Sequence, residues 1–193
     1  MSPPGPVLDR LRDLLRERSY ARRPVTLASG RTSDFFIDAK QTVLLAEGHA
    51  LVAEVLLDAA LELAPRPVAV AGVELGGCPL ASAVALRSAD RGTPLDAIYV
   101  RKELKDHGSQ RRLEGDGHLP DGAPVAILED VVTTGGSTLR AVAPLRARGL
   151  TVTGVIALVD RGEGGAEAIA AEGIALRAIF RREDFHRDAA DGA

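Results

Sequence analysis

The stretch "VAILEDVVTTGGST", Val125–Thr138, decides the fold and points to a ligand. Its aliphatic residues fit a buried strand, but the strand ends in two adjacent carboxylates, Glu129 and Asp130, and the chain then turns into hydroxyls and glycines. Such a loop between a strand and a helix offers backbone N–H groups and the positive end of the helix to a phosphate. It is neither a Walker loop nor a dinucleotide fingerprint, because its spacing differs, no lysine follows it and GxGxxG is absent.

The two acids need a partner other than the phosphate, because like charges repel one another. Carboxylates accept hydrogen bonds from hydroxyl groups, so the vicinal hydroxyls of a sugar phosphate fit the acids while its phosphate fits the loop. The alternative is a solvated strand end in which Asp130 acts as a cap. A pair of acids placed directly before a hydroxyl- and glycine-rich loop favours the sugar phosphate.

The segments around this stretch alternate between short apolar runs and helical periodicity. Strands are predicted at 67–73, 96–102, 123–130, 151–161 and 174–180. Helices are predicted at 47–64, 76–92, 136–149 and 165–173. This alternation predicts an α/β fold with a mostly parallel central sheet flanked by helices, and it places ligands at the carboxyl ends of the strands.

Other segments lie before, within and after this alternation. An amphipathic helix is predicted at 6–18, and two short strands within 24–40 are joined by a turn at Ser29–Thr32. Residues 103–122 carry charges and glycines without an apolar period, which predicts a long loop. The end of the chain, from Arg181 onward, is predicted to be frayed.

The composition limits the classes of function. The chain has 193 residues, of which 46% are hydrophobic, and this predicts one domain with a substantial core. A net charge of -3 argues against wholesale nucleic-acid binding, and no apolar stretch has the length of a membrane span or the character of a signal peptide. Cys78 is the single cysteine, which rules out an internal disulfide and suits a reducing cytoplasm. A cytoplasmic protein without nucleic-acid or membrane partners is expected.

Lysine is rare in this chain, and its placement is informative. Of the 24 lysine and arginine residues only three are lysines, Lys40, Lys102 and Lys105. Two of the three lie in "RKELKDHG", which also holds Arg101 and His107. This concentration suggests that a compact ammonium group is needed there, for instance over a polyanionic ligand. The alternatives are chance clustering and, for His107, a solvated loop histidine.

Three segments resemble those of one enzyme family. Val125–Thr138 resembles the phosphoribosyl pyrophosphate signature of type I phosphoribosyltransferases. "YVRKELKDHGSQRRLEG", 99–115, is similar to the mobile catalytic loop of the orotate phosphoribosyltransferases, and "LASGRTSDFFIDAK", 27–40, is similar to their N-terminal hood. The order and spacing of the segments match the family over roughly residues 7 to 180.

The resemblance implies the type I phosphoribosyltransferase fold and an enzyme that joins orotate to phosphoribosyl pyrophosphate. The products would be orotidine 5'-phosphate and pyrophosphate, in the biosynthesis of UMP. The resemblance also implies Mg²⁺ that is carried by the substrate without a direct protein ligand, and a homodimer whose catalytic loop reaches the neighbouring subunit's site. It divides the chain into an N-terminal helix and hood at 1–45, a phosphoribosyltransferase core at 46–182 and a tail at 183–193 that is expected to be frayed.

The same resemblance assigns roles around the sugar phosphate. Asp130 and Glu129 would hold the ribose hydroxyls and stabilise a cation-like transition state. The catalytic loop would pair with pyrophosphate and exclude water through Arg101, Lys102, Lys105 and His107, of which the last two would also be catalytic. Contacts to phosphoribosyl pyrophosphate would continue through Val131, Val132, Thr133, Thr134, Gly135, Gly136, Ser137 and Thr138.

Two further groups of residues complete the expected site. "GVELGG", 72–77, matches the family's pyrophosphate loop with Glu74, Leu75, Gly76 and Gly77, and a non-proline cis peptide bond is expected near Glu74–Leu75. Orotate would be bound by Arg161 through its carboxylate, by Phe36 against its ring and by Thr133. The alternatives are a ligand-free turn for the loop, a surface ion pair for Arg161 and core packing for Phe36.

Two positions depart from the pattern of many relatives, which carry lysine where this chain has Ala28 and Gly76. Competing interpretations are a purine phosphoribosyltransferase, a non-catalytic regulator that binds phosphoribosyl pyrophosphate, and a fragment of a fused enzyme that also decarboxylates the product. The first is disfavoured because no aromatic residue follows Asp160, and the second because no basic helix-turn-helix pattern is visible. The third is disfavoured because the chain is too short for a second barrel domain.

Overall fold

The computed structural model describes residues 5–26, 32–102 and 112–185. Their strands are β1 (Tyr20–Thr26), β2 (Thr32–Ile37), β3 (Ala69–Val73), β4 (Asp96–Val100), β5 (Leu113–Glu114), β6 (Pro124–Val132), β7 (Thr151–Asp160) and β8 (Leu176–Arg181). Their helices are α1 (Gly5–Arg18), α2 (Lys40–Val43), α3 (Ala46–Leu61), α4 (Gly77–Asp90), α5 (Gly136–Ala147), α6 (Gly165–Ala171) and a 3₁₀ helix, Arg182–Phe185. None of these helices has the length and apolar character needed to cross a membrane.

The central sheet has six strands in the order β5-β4-β3-β6-β7-β8. All neighbouring pairs are parallel except β4 with β5. Ala71 in β3 lies in register with Ile98 of β4 and Ile127 of β6, and every residue of β3 is buried. Burial on both faces explains why the strands read as continuous apolar runs. The prediction of an α/β fold with a mostly parallel sheet flanked by helices is confirmed.

The two faces of this sheet are covered by two different apolar clusters. Val70 and Leu128 pack with residues of α1, α3 and α4 on one face. Ala71 and Ile127 pack with residues of α5 and α6 on the other face. Alternate residues of one strand thus enter opposite cores, as the two-residue period of a strand requires. The acid-bearing end of β6 is therefore fixed from both sides.

The N-terminal elements lie against the first of these clusters. Leu11, Leu14 and Leu15 of α1 are buried, in agreement with the predicted apolar face. Strands β1 and β2 form a separate antiparallel pair outside the central sheet. The predicted turn at Ser29–Thr32 lies, apart from Thr32 itself, outside the described residues. The division of the chain at residues 45 and 182 stays a prediction.

The end of the described chain is ordered by aromatic packing. The Phe185 ring is 6% exposed, and its centroid lies 5.9 Å from that of Phe35 and 6.1 Å from that of Phe180. The prediction of a frayed tail from Arg181, and of a frayed segment beginning at residue 183, is therefore wrong as far as Phe185. The apolar pattern of the sequence did not predict the packing of Phe185, because a single phenylalanine forms no periodic pattern. Residues 186–193 lie outside the described residues.

Several element boundaries also differ from the predictions. Helix α2 was not predicted, and β5 lies in the segment predicted to be all loop, because a helix of four residues and a strand of two leave no periodic pattern. Strand β1 begins at Tyr20, ahead of Pro24. Strand β6 continues past Asp130 to Val132, because Val131 and Val132 still pair with β7.

Candidate active site

The predicted site residues gather at one edge of the central sheet. Strands β3, β4, β6 and β7 are parallel neighbours, so their carboxyl ends meet at this edge. Glu74 follows the first of them, Lys102 the second and Arg161 the fourth, while Glu129 and Asp130 lie near the end of the third. Lys105, His107 and Ala28 lie outside the described residues.

Glu129 is a buried acid held by the hydroxyls that follow it. The residue is only 4% exposed to solvent. Its Oε1 accepts hydrogen bonds from Ser137 Oγ at 3.0 Å and from Thr138 Oγ1 at 2.8 Å. Burial raises the pKa of Glu129 to about 7, and the charge of Asp130 adds to this, while the two hydroxyl donors oppose it. A solvated strand end therefore does not describe Glu129.

Asp130 is the more accessible acid, with 17% of its side chain exposed. Its Oδ1 accepts a hydrogen bond from the backbone N–H of Val131 at 2.9 Å, and its Oδ2 lies 4.0 Å from Lys40 Nζ. Burial raises the pKa of Asp130, while the Val131 N–H and the Lys40 charge act in the opposite direction. Asp130 is no helix cap, because α5 begins after Gly135 without a side-chain cap.

The loop from Thr133 to Ser137 leads directly into the N-terminus of α5. Gly135 has a φ of 77°, and a Cβ atom there would lie 3.1 Å from the carbonyl oxygen of Gly165, so glycine suits both the conformation and the space. The first N–H groups of α5 have no side-chain cap and are available to an anion. The Thr138 side chain is completely buried against Glu129 and thus supports the acid from within.

The segment after β3 forms a tight turn over β6. The Glu74–Leu75 peptide bond is cis, as predicted. A Cβ atom at Gly72 would lie 2.2 Å from the carbonyl oxygen of Gly77, and one at Gly76 would lie 2.1 Å from Asp130 Oδ2. Glu74 Oε2 accepts a hydrogen bond from the backbone N–H of Lys102 at 2.9 Å. The predicted pyrophosphate loop and the start of the predicted catalytic loop are thus joined.

Basic side chains collect beside the phosphate loop. A small pocket next to Ser137 is lined by Arg101 and Lys102, which were predicted, and by Arg112 and Arg140, which were not. Arg140 is the fifth residue of α5, one turn from the N-terminus of the helix. A cation at the positive end of a helix is unfavourable unless an anion lies nearby. That position was the signal in the sequence that could have identified Arg140.

Arg161 lies beneath the N-terminal strands, with only 10% of its side chain exposed. Its Nη2 donates a hydrogen bond to the backbone oxygen of Phe35 at 3.1 Å and lies 2.7 Å from Glu163 Oε1. Its Nε is buried without a hydrogen-bond partner among the described residues. The alternative of a surface ion pair is wrong, because the ion pair is buried. Phe35 is fully buried, whereas the predicted Phe36 is half-buried.

Metal-ligating side chains do not cluster in the part of the chain that the structure describes. Cys78 lies at the start of α4, and its side chain is partly buried. Its thiol donates a weak hydrogen bond to the Gly72 carbonyl oxygen at 3.7 Å. Burial, with a contribution from the Glu74 charge, raises the pKa of Cys78 to about 11. The described residues at this edge of the sheet offer carboxylates, hydroxyls, backbone N–H groups and arginine or lysine cations to a ligand.

Comparison with known proteins gives consistent matches over nearly the whole chain. The phosphoribosyl transferase domain family matches residues 41–174. An orotate phosphoribosyltransferase of Sorangium cellulosum is 66% identical over 180 residues, covering 93% of each protein. Among solved structures, the orotate phosphoribosyltransferase of Mycobacterium tuberculosis H37Rv in complex with Fe(III) dicitrate has a TM-score of 0.79 and 36% identity, covering 93% of this chain and 99% of that one. Its complex with 5-phospho-alpha-D-ribosyl 1-diphosphate has a TM-score of 0.76 and 33% identity, covering 94% and 99%.

Proposed function

The chain belongs to the phosphoribosyltransferase family and, within it, to the orotate phosphoribosyltransferases, and we propose that the carboxyl edge of its central sheet carries out their reaction. This reaction transfers the ribose 5-phosphate of phosphoribosyl pyrophosphate to orotate in UMP biosynthesis. The observation that carries the proposed site is the buried Glu129 beside Asp130, directly before a glycine-rich loop that opens a helix.

The acids act on the ribose. During the reaction, the bond from the anomeric carbon to pyrophosphate breaks and its electron pair leaves with the pyrophosphate. N1 of orotate forms the new bond, and the proton that it loses is taken up by the departing pyrophosphate or by water. Positive charge develops on the sugar between these events, as in glycoside chemistry. Asp130, with its partly exposed side chain, accepts hydrogen bonds from the ribose hydroxyls, and the adjacent Glu129 adds negative charge.

The phosphates bind on either side of these acids. The 5'-phosphate lies against the loop from Thr133 to Ser137 and the uncapped N–H groups of α5. Pyrophosphate lies between the turn at 74–77 and the cations Arg101 and Lys102. The hydrogen bond from the Lys102 backbone to Glu74 supports this, because it brings both segments to one place. Lys105 and His107, which follow Lys102 in the chain, complete the proposed set of cations.

Orotate binds under the N-terminal strands. Its carboxylate pairs with Arg161, whose buried Nε lacks a partner among the described residues and whose charge is only partly met by Glu163. Its ring packs on the half-buried Phe36, next to Thr133. The observation that supports this placement is the hydrogen bond from Arg161 to Phe35, which joins the end of β7 to β2.

Mg²⁺ accompanies the substrate. The donor set fits this arrangement, because the described residues include no cluster of metal-ligating side chains, while pyrophosphate and ribose oxygens are hard ligands of the kind that Mg²⁺ prefers. When bound, the ion offsets part of the pyrophosphate charge. No side chain of the protein is proposed as a direct ligand of the ion. A cytoplasmic location stays a prediction.

The active unit is a homodimer. Several large apolar side chains are exposed, among them Leu75 at 65%, in the turn after β3, and Leu86 at 69%, on α4. Leu86 lies one helical turn after Ser82 on α4, and the hydroxyl of the exposed Tyr99 lies within hydrogen-bond distance of Ser82. Exposed apolar side chains of this kind are suited to contact with another copy of the chain. The loop that carries Lys105 and His107 would then act in the partner's site.

The experiment that tests this function follows the fall in orotate absorbance with phosphoribosyl pyrophosphate and Mg²⁺, beside parallel reactions with adenine, hypoxanthine and uracil. We expect consumption of orotate alone, and loss of it in Arg161→Ala. Turnover of a purine would overturn the assignment of Phe36 and Arg161 to orotate. Tight binding of phosphoribosyl pyrophosphate without turnover of any base would favour the non-catalytic regulator.

A further inference from the structure

Lys40 lies at the acidic centre of the site although none of the roles above uses it. It is the first residue of α2, the short helix that follows β2. Its Nζ lies 2.5 Å from Asp38 Oδ1 and 4.0 Å from Asp130 Oδ2. Its side chain is 40% exposed, so the ammonium group is neither fully hydrated nor enclosed. It is also one of only three lysines in a chain that otherwise uses arginine for its cations.

The Asp130 carboxylate is confined by the backbone at Gly76 as well as approached by this cation. A Cβ atom at Gly76 would lie 2.1 Å from Asp130 Oδ2 and 2.2 Å from its Cγ. The carboxylate therefore fills the space that a side chain at position 76 would need. A side chain at position 76 therefore cannot supply a cation to Asp130, whereas Lys40, in the N-terminal elements, brings its Nζ to 4.0 Å from Asp130 Oδ2.

The other charged groups around Asp130 do not replace Lys40. Glu129, its neighbour on β6, and Asp38, which follows β2, are both acids. Lys102 acts on Glu129, and Glu74 in the turn over β6 accepts the Lys102 backbone N–H. Among the described side chains that act on Asp130, Lys40 is the one that carries positive charge.

We propose that Lys40 is a positioning residue of the transfer reaction, held by Asp38 so that its charge keeps the Asp130 carboxylate ionised and aimed at the ribose hydroxyls. This inference rests on the proposed function for its catalytic consequence. The geometry itself, a cation between two carboxylates with Gly76 packed against one of them, does not depend on that function. Gly76 and Lys40 work as a pair, because the first makes room for the acid and the second neutralises it.

The electrostatic consequence has a definite sign. Burial raises the pKa of Asp130, and the Lys40 charge lowers it. Removal of that charge therefore raises the pKa further, so that a smaller fraction of Asp130 is ionised at a given acidic pH. A rise of one pKa unit lowers the ionised fraction about tenfold well below the pKa.

The first experiment reads Asp130 without any turnover. Carboxyl ¹³C NMR on aspartate-labelled protein follows the titration of Asp130, whose signal is identified by its absence in Asp130→Asn. We expect a shift to higher pH in Lys40→Met, and almost none in Lys40→Arg. Arg10→Met, which removes an exposed cation that is paired with Glu47 on the surface, is the matched control and should leave the titration unchanged. An unaltered titration in Lys40→Met would overturn the inference.

The second experiment measures orotate turnover across pH in the same variants. Lys40→Met should lose kcat/KM for phosphoribosyl pyrophosphate about tenfold on the acidic limb, with smaller loss at higher pH, and Lys40→Arg should recover it. Equal loss in both variants at every pH would mean a purely structural role and overturn the inference. Turnover absent from the unsubstituted chain, beside a shifted Asp130 titration, would refute the proposed function and leave the charge relationship intact. Gly76→Ala should also lose turnover, because its Cβ displaces Asp130.

Discussion

Glu129 is an acid that the fold buries before any substrate arrives. Its hydroxyl partners Ser137 and Thr138 both lie in the loop and helix that follow it. Because the pKa of Glu129 is about 7, the ligand-free protein keeps a proton on this side chain at mildly acidic pH, where an exposed glutamate would have lost it. The acid is therefore sensitive to its surroundings near neutral pH, where a developing positive charge on the ribose would favour the ionised form.

Glu129→Gln should stabilise the ligand-free protein in a pH-dependent way. Between the ordinary glutamate pKa and about 7, the folded state holds a proton that the unfolded state lacks, so the free energy of unfolding falls as pH rises through this window. Glutamine avoids the penalty and still accepts both hydroxyl hydrogen bonds. The gain over the parent should be near zero below the window and reach about 3 kcal/mol above it. Urea unfolding at a series of pH values measures this gain.

The control for this prediction is Glu172→Gln, which removes an acid that is 52% exposed and paired only at the surface with Arg146. It should change stability little at any pH. If parent and Glu129→Gln showed the same pH dependence of unfolding, burial would not be raising the pKa of this acid. Turnover should be lost in Glu129→Gln but kept in Glu172→Gln.

Sequence reasoning at this scale succeeded where neighbours in sequence are neighbours in space. Glu129, Asp130 and the following loop are adjacent in the chain, so their joint role was visible there. Lys40 was not, because its approach to Asp130 depends on the packing of α2 against the sheet edge. The pair Phe35 and Phe36 was ambiguous for another reason. One side of β2 faces the core, and only the register of the strand decides which ring it buries.

At the scale of elements, one arginine fastens the segment between β5 and β6. Arg148, just after α5, donates hydrogen bonds to Asp116 Oδ2 at 3.0 Å, to Asp121 Oδ1 at 3.0 Å and to the Leu119 carbonyl oxygen at 2.8 Å. Asp116 is buried. This segment follows the predicted catalytic loop in the chain. Its attachment to α5 therefore anchors the C-terminal end of that loop.

Arg148→Ala should destabilise the protein, because it leaves the buried Asp116 carboxylate without its cation and a carbonyl without its donor. We expect a loss of about 1–3 kcal/mol in the free energy of unfolding. The matched control is Arg146→Ala, two residues earlier, whose contacts to Glu172 are exposed and should be worth less than about 1 kcal/mol. Thermal unfolding of both variants measures the difference. Equal effects would show that the Asp116 contact adds nothing beyond a surface pair.

The predictability of the elements followed their length. Strands β3, β6 and β7 and helices α3, α4 and α5 were predicted within a few residues, because each repeats its pattern several times. Helix α2 and strand β5 were missed, since neither is long enough to repeat its pattern a second time. Both lie beside the site, so the elements that position Lys40 and Arg112 were those that the sequence pattern could not reveal.

At the scale of the whole molecule, the site combines parts that are far apart in the chain. Strand β2 belongs to the small separate sheet, yet Phe35 accepts a hydrogen bond from Arg161 at the end of the central sheet. The described residues near the predicted pyrophosphate position supply the cations Arg101 and Lys102, while Lys105 and His107 lie on the loop that follows. Whether that loop serves its own subunit or a partner decides how many chains form one complete site.

Mixing two inactive variants tests this arrangement. In a dimer of Lys105→Ala with Asp130→Asn subunits, a loop that acts on the partner's site leaves one site with both residues intact and the other with both replaced. Random exchange should then restore about a quarter of the activity of the unsubstituted enzyme, because half of the dimers are hybrids with one working site. A loop that acts within its own subunit leaves every site defective. The measurement is orotate turnover after mixing, with each variant incubated alone as the control and differently tagged subunits used to demonstrate exchange. Proven exchange without recovered turnover would contradict the shared loop.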